Sequence, residues 1–104
     1  MVNLISMDFE FRNTSLEDVY YNAKASVGHG AVVDKGFRKV VGKIAAAKDE
    51  RDLRSLAGLH YHKLDGNRSH QHALNITGNW RLIIERFEKD GRIKLVITSV
   101  EDYH

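Results

Sequence analysis

The most constraining part of this sequence lies after Gly58. Three runs rich in β-branched and aromatic residues, 70–76, 80–87 and 92–100, are joined by Thr77-Gly78-Asn79 and, after Glu88, by Lys89-Asp90-Gly91. Connections this short, carrying glycine beside Asn or Asp, join antiparallel neighbours, so the runs predict a three-stranded meander.

The first half has a different period. Residues 4–11 mix apolar and acidic side chains, with Phe9 and Phe11 two apart as on a short first strand. Ser15 and Asp18 have the spacing of a capping box before Leu16, Val19 and Tyr20, which predicts a short helix ending near Gly28 and Gly30. From Asp34, an expected N-cap, Phe37, Val40, Val41 and Ile44 recur at i, i+3, i+4 and i+7. Lys35, Arg38, Lys39 and Lys43 fall elsewhere, giving an amphipathic helix with a basic outer side. Gly36 and Gly42 each weaken it by about 1 kcal/mol relative to Ala. Residues 49–56 read as a short helical turn or linker. Two helices on one face of a mostly antiparallel sheet, completed by the first strand, make an α+β fold with the opposite sheet face open.

At 104 residues the chain is expected to be one domain, 1–104, since a second core could not be built from what the first leaves over. It has no Cys, which excludes disulfides and thiolate metal sites. The first residues lack the pattern of a signal peptide and no apolar run reaches the roughly 20 residues of a membrane span, so the expected compartment is the cytoplasm. Residues 35–68 carry nine basic against four acidic side chains, whereas residues 1–34 carry two against five. With six histidines (29, 60, 62, 70, 72 and 104), the basic middle suggests a polyanionic partner, although most charge runs are solvated helix faces.

Three ordered motifs in the second half resemble the HigB-type plasmid maintenance killer branch of the RelE toxin superfamily. They are His62-Lys63-Leu64-Asp65-Gly66-Asn67-Arg68, Ile76-Thr77-Gly78-Asn79-Trp80-Arg81-Leu82 and Glu101-Asp102-Tyr103-His104; the stretch from Leu16 to Tyr20 is also similar to that family's first helix. The resemblance implies a RelE-like fold and a ribosome-dependent messenger RNA endonuclease that uses neither metal nor cofactor. It also implies a helix-turn-helix antitoxin of HigA type, through which the complex meets operator DNA. One departure stands out: Asp65 occupies a position where the family usually has Lys.

Metal-free RNA cleavage requires a base for the 2′-hydroxyl, a cation against charge developing at phosphorus and an acid for the leaving 5′-oxygen. His62 and His104, at the family's positions, are the expected proton-transfer pair, one acid and one base, histidine having an ordinary pKa near 6.5. Arg81 lies on the strand face opposite Trp80 and Leu82, as a clamp on the scissile phosphate or as a structural partner of Glu85 or Glu101. Tyr103 could stack on a base or pack terminally on the core, and Asp102 suits orienting a histidine or Arg81. Lys63, Arg68, Arg86, His70 and His72 form an expected RNA-facing rim. The pairs His60-x-His62 and His70-x-His72 could offer four imidazoles to zinc, but such sites are uncommon and no metal is expected. The competing functions are a noncatalytic binder of a protein such as DNA gyrase, as in the ParE branch, and an inactive antitoxin-binding relative.

Overall fold

The computed structural model describes residues 6–103. Residues 4 and 5 of the expected first strand, and His104, lie outside the described residues. Five strands form one mixed sheet in the order β1-β5-β4-β3-β2: β1 (Ser6–Phe11), β2 (His62–Lys63), β3 (Gln71–Asn75), β4 (Trp80–Lys89) and β5 (Arg92–Asp102). The predicted meander is β3-β4-β5. Asp90 and Gly91, with φ of 53° and 78°, form the two-residue turn that lets Lys89 pair with Arg92. β1 completes the sheet by running parallel to β5, Phe9 opposite Leu95.

Helices α1 (Thr14–Tyr21), α2 (Ala31–Ala46) and α3 (Glu50–Ser55) connect β1 to β2. The predicted stripe of α2 is buried throughout: Phe37, Val40, Val41 and Ile44 are at most 4% exposed and pack on Leu74, Leu82, Ile84, Leu95 and Ile97 of the sheet. Each such side chain contributes about 1.5–3 kcal/mol by leaving water. The other sheet face keeps a small apolar floor of Leu64, Ala73 and Ile83. Among the described residues no helix is long and apolar enough to cross a membrane.

Helix boundaries correct the sequence expectations. Asn13, not Ser15, caps α1, its Oδ1 accepting from Leu16 N at 2.9 Å. This helix stops at Tyr21, well before Gly28, because Arg38 reaches across from α2 and donates to the carbonyls of Val19 at 2.8 Å and Ala25 at 2.7 Å. Arg38 therefore does not belong to a solvated basic face. Asp34 lies inside the first turn of α2, which Gly30 caps; its carboxylate instead accepts from Val27 N at 2.8 Å and Ser26 Oγ at 3.1 Å, holding the preceding loop. The segment 49–56 is a true helix capped by Asp49, and β2 is an additional short strand.

The two glycines of α2 have different roles. A Cβ on Gly36 would stand 2.7 Å from Ile76 Cγ2 and 3.2 Å from its carbonyl oxygen, whereas one on Gly42 would meet nothing within 4 Å. Gly36 thus sets how closely α2 approaches the end of β3, and Gly42 carries only the entropic cost of glycine in a helix. In urea denaturation, Gly42→Ala is expected to raise stability by about 0.5–1 kcal/mol. Gly36→Ala should lower it by about 1 kcal/mol, because overpacking outweighs the propensity gain.

Candidate functional site

Strand alternation divides the functional candidates between the two sheet faces. Leu82, Ile84 and Leu74 turn to the helices, so Arg81, Ile83 and Glu85 of β4 face the open side, with Gln71, Ala73 and Asn75 of β3 opposite them. On β5 an extra residue at Thr98 shifts the register between Ile83 and Ile84, so that Ser99 and Glu101 lie opposite Ile83 and Arg81. The bulge thereby adds Glu101 to the open face beside Arg81.

The cations there are unequally paired. Arg68, from the 3-10 turn Gly66–Arg68, forms a two-pronged bond to Glu101 at 3.0 and 2.9 Å, and its Nε donates to Gln71 at 2.7 Å. This partner holds the Glu101 carboxyl below its ordinary value of 4.5, against a raising effect of burial. Arg81 has only a long contact to the same carboxylate, 3.7 Å, and its buried Nε has no hydrogen-bond partner among the described residues. Its guanidinium carbon sits 5.1 Å from the centre of the Tyr103 ring. Tyr103 is in turn fixed by its hydroxyl on Asn75 Oδ1 and by its backbone N–H on Asn79 O at 3.0 Å. The alternative partner Glu85 is engaged elsewhere, with Arg12 and with His70 Nε2 at 3.8 Å.

His62 pairs with Ala73, which places it on the open face. Its Nδ1 lies 2.8 Å from the His60 carbonyl oxygen, which can only accept, so Nδ1 bears the proton and Nε2 keeps the lone pair in the neutral ring. Asp102 pairs with Trp80 across the strands. Asp65 is exposed ahead of the 3-10 turn and makes no side-chain cap bond.

The structure thus gathers Arg68, Arg81, Tyr103 and His62 on the open face, with His70 at its edge. It does not gather Lys63, Arg86 and His72, which face the helix side. Arg86 grips Glu50 of α3 through Nε at 2.7 Å and Nη2 at 2.8 Å, and His72, 7% exposed, stacks 5.0 Å from Tyr61. Tyr61 donates to the same Glu50 at 2.6 Å. Burial alone would raise the Glu50 carboxyl, but Arg86 and Tyr61 together hold it low. Because His72 is separated from His62 by the sheet, the four imidazoles considered for zinc do not converge. No group of three or more potential metal ligands occurs among the described residues. Asn75 and Glu101, which fix Tyr103 and Arg68, enter the site through register and bulge; on the sequence, Asn75 carries no distinguishing signal.

Burial lowers the His72 pKa from 6.5, with the charge of Glu50 opposing this only in part. The unfolded chain therefore binds a proton at His72 more readily than the folded one. Stability contributed by the neutral ring is intact above pH 6.5 and declines as pH falls from 6.5 through the lower folded value. Melting temperatures of wild type and His72→Phe, measured between about pH 8 and 5, should show the smaller acid loss in the variant; parallel curves would remove His72 from the acid response.

The chain matches the family model of HigB-like toxins, RelE-like toxins of type II toxin-antitoxin systems, over residues 9–104, and belongs to that family. Its fold is similar to solved structures that share little sequence with it. The YoeB/ParE toxin from Agrobacterium tumefaciens is 10% identical, with a TM-score of 0.58 over 94% of this chain and 100% of that one. YafQ from E. coli strain BL21(DE3) is 10% identical, with a TM-score of 0.54 over 95% and 93%. The YoeB-YefM complex from Staphylococcus aureus is 20% identical, with a TM-score of 0.51 over 96% and 97%. No curated protein matches the sequence. The RelE-like α+β fold expected from the motifs is therefore the fold observed.

Proposed function

We propose that this toxin is a metal-independent endoribonuclease that cuts messenger RNA on the ribosome from the open face of its sheet. The observation that carries this reading is Arg81, an always-charged fork whose buried Nε has no partner among the described residues and whose carboxylate neighbour is already claimed by Arg68. A guanidinium held in that way is ready to take a phosphate in bidentate fashion. His62, its Nε2 basic, removes the proton from a ribose 2′-hydroxyl, whose oxygen attacks the adjacent phosphorus. Arg81 offsets the charge that develops there, the bond to the 5′-oxygen breaks, and His104 protonates that leaving oxygen. The products are a 2′,3′-cyclic phosphate and a 5′-hydroxyl end.

Tyr103, held beside Arg81, stacks on a base or bonds the phosphate, while Asp102 orients the terminal residues. Arg68 and His70 border the RNA path; Lys63 and Arg86, with His72 beneath them, extend contact around the β2 edge. The partner is a helix-turn-helix antitoxin of HigA type that carries the complex to operator DNA, and the toxin acts in the cytoplasm. Family membership supports the antitoxin, as does the occurrence of a similar fold in the YoeB-YefM complex.

Induced expression in a bacterium, with primer extension to map new 5′ ends, tests the reading. Wild type should arrest growth and cut within translated codons. Arg81→Ala and His104→Ala should each lower cutting by about 100-fold or more, as losses of charge stabilisation and of proton transfer do. Arrest without cuts would overturn the nuclease reading in favour of a protein-binding toxin. Asp65→Lys adds a cation at an exposed position near the RNA path and should raise cutting severalfold; unchanged cutting would mean that neighbouring cations already serve.

A further inference from the structure

Arg81 is covered by a side chain that is tied down at both ends. Asn75 of β3 lies opposite Arg81 on one side and Glu101 of β5 on the other, so the three occupy one row of the open face. Tyr103 lies just beyond β5; its backbone N–H donates to Asn79 O at 3.0 Å and its hydroxyl meets Asn75 Oδ1. Held in this way, its ring centre stands 5.1 Å from the guanidinium carbon of Arg81.

The direction of the bond between Tyr103 and Asn75 follows from the other bonds of Asn75. Its Nδ2 donates to the carbonyl oxygen of Gly58 at 3.3 Å, and its backbone N–H to that of Leu59 at 2.7 Å. A carbonyl oxygen only accepts, so the amide nitrogen belongs on the Gly58 side and the amide oxygen on the Tyr103 side. The amide oxygen also only accepts, so the phenol gives its one proton to Asn75. What remains on the phenol oxygen is acceptor capacity, which cannot bond an unprotonated phosphate oxygen.

We propose that Asn75 is a positioning residue of the cutting site: it fixes Tyr103 so that the ring, and not the hydroxyl, serves the reaction by holding Arg81 in place. This rests on the proposed cutting of RNA and removes the phosphate bond from the roles open to Tyr103. A guanidinium covered on its flat face presents its edge, where the paired N–H groups that grip a phosphate lie. Released from Asn75, the ring swings and Arg81 loses one wall of its setting. A shift of about 1 Å at a group that meets developing charge costs up to about 100-fold in rate.

The test compares wild type, Asn75→Ala, Tyr103→Phe, the double variant and Tyr103→Ala, each checked for an unchanged melting temperature. Single-turnover cutting of a short message on purified ribosomes gives a maximal rate and the toxin concentration at half that rate. Asn75→Ala and Tyr103→Phe should each lower the maximal rate by about 10-fold and leave the half-maximal concentration unchanged. The double variant should be no slower than either, because both changes remove one bond. Tyr103→Ala, which removes the ring, should fall by about 100-fold. A slow Tyr103→Phe beside an Asn75→Ala at the wild-type rate would assign the hydroxyl to the RNA and overturn the proposal. Losses that multiply in the double variant, or no loss in either single one, would overturn it too. A second readout needs no cutting. In proton–nitrogen NMR spectra the Arg81 Nε–H resonance, displaced by the Tyr103 ring, should move in Asn75→Ala toward its position in Tyr103→Ala; a resonance left at the wild-type position defeats the proposal even where rates fall. Should Asn75→Ala not fold, Tyr103→Phe takes its place in these spectra, since its ring is equally untied. If wild type makes no cuts, the nuclease reading fails, and the resonance alone decides whether Asn75 holds the ring.

Discussion

The pairing of β4 with β5, from Lys89 opposite Arg92 to Trp80 opposite Asp102, is the constraint on which the other features depend. It is the longest ladder in the molecule, closed by a turn whose two residues both adopt positive φ. One of its faces supplies Leu82, Ile84, Leu95 and Ile97 as the bed for α2, and the other presents Arg81, Ser99 and Glu101 to solvent. The core and the candidate site are therefore two sides of one object, and displacement of the ladder by one residue would exchange them. The additional residue at Thr98 adjusts this object locally, adding twist where the site begins.

On the open face, charge among the described residues is distributed so that one arginine is closely paired and the other is not. Glu101 lies within reach of both Arg68 and Arg81, but the close two-pronged geometry belongs to Arg68. Arg81 is left with a distant carboxylate and the face of an aromatic ring, which steady a guanidinium without exhausting its donors. On the helix side the opposite arrangement holds: Glu50 is saturated by Arg86 and Tyr61 and serves as a buried strut between α3 and β4.

Much of this was legible in the sequence where a period or a turn encodes it. The stripe from Phe37 to Ile44 specified α2, the Asp90-Gly91 pair specified the hairpin, and alternation from Trp80 put Arg81 opposite the core. The same alternation, carried on from Leu82 through Ile84, indicates that Arg86 faces the helices. What was not legible depends on contacts between distant segments. Arg38 ends α1 from another helix, Asp34 serves a loop in place of a helix start, and Asn75 meets Tyr103 only because β3 and the residues after β5 come together. A two-residue strand such as β2 has no period to detect. His104, expected with His62 as one of the two proton-transfer groups, lies outside the described residues.

The parallel alignment of β1 with β5 has a consequence for how the chain acquires its shape during synthesis. Ser6 must wait for Arg92, and Phe11 for Ile97, before the first strand has a neighbour. The amphipathic helices can form early, but they have no completed sheet to pack on until β5 has left the exit tunnel. Closing so long a loop is slow relative to local pairing. Arg81 can be translated well before Glu101 and Tyr103 surround it, so a nascent chain halted between them would have the cation but not its setting. In this architecture β5, made after every strand it joins, both closes the sheet and assembles the site.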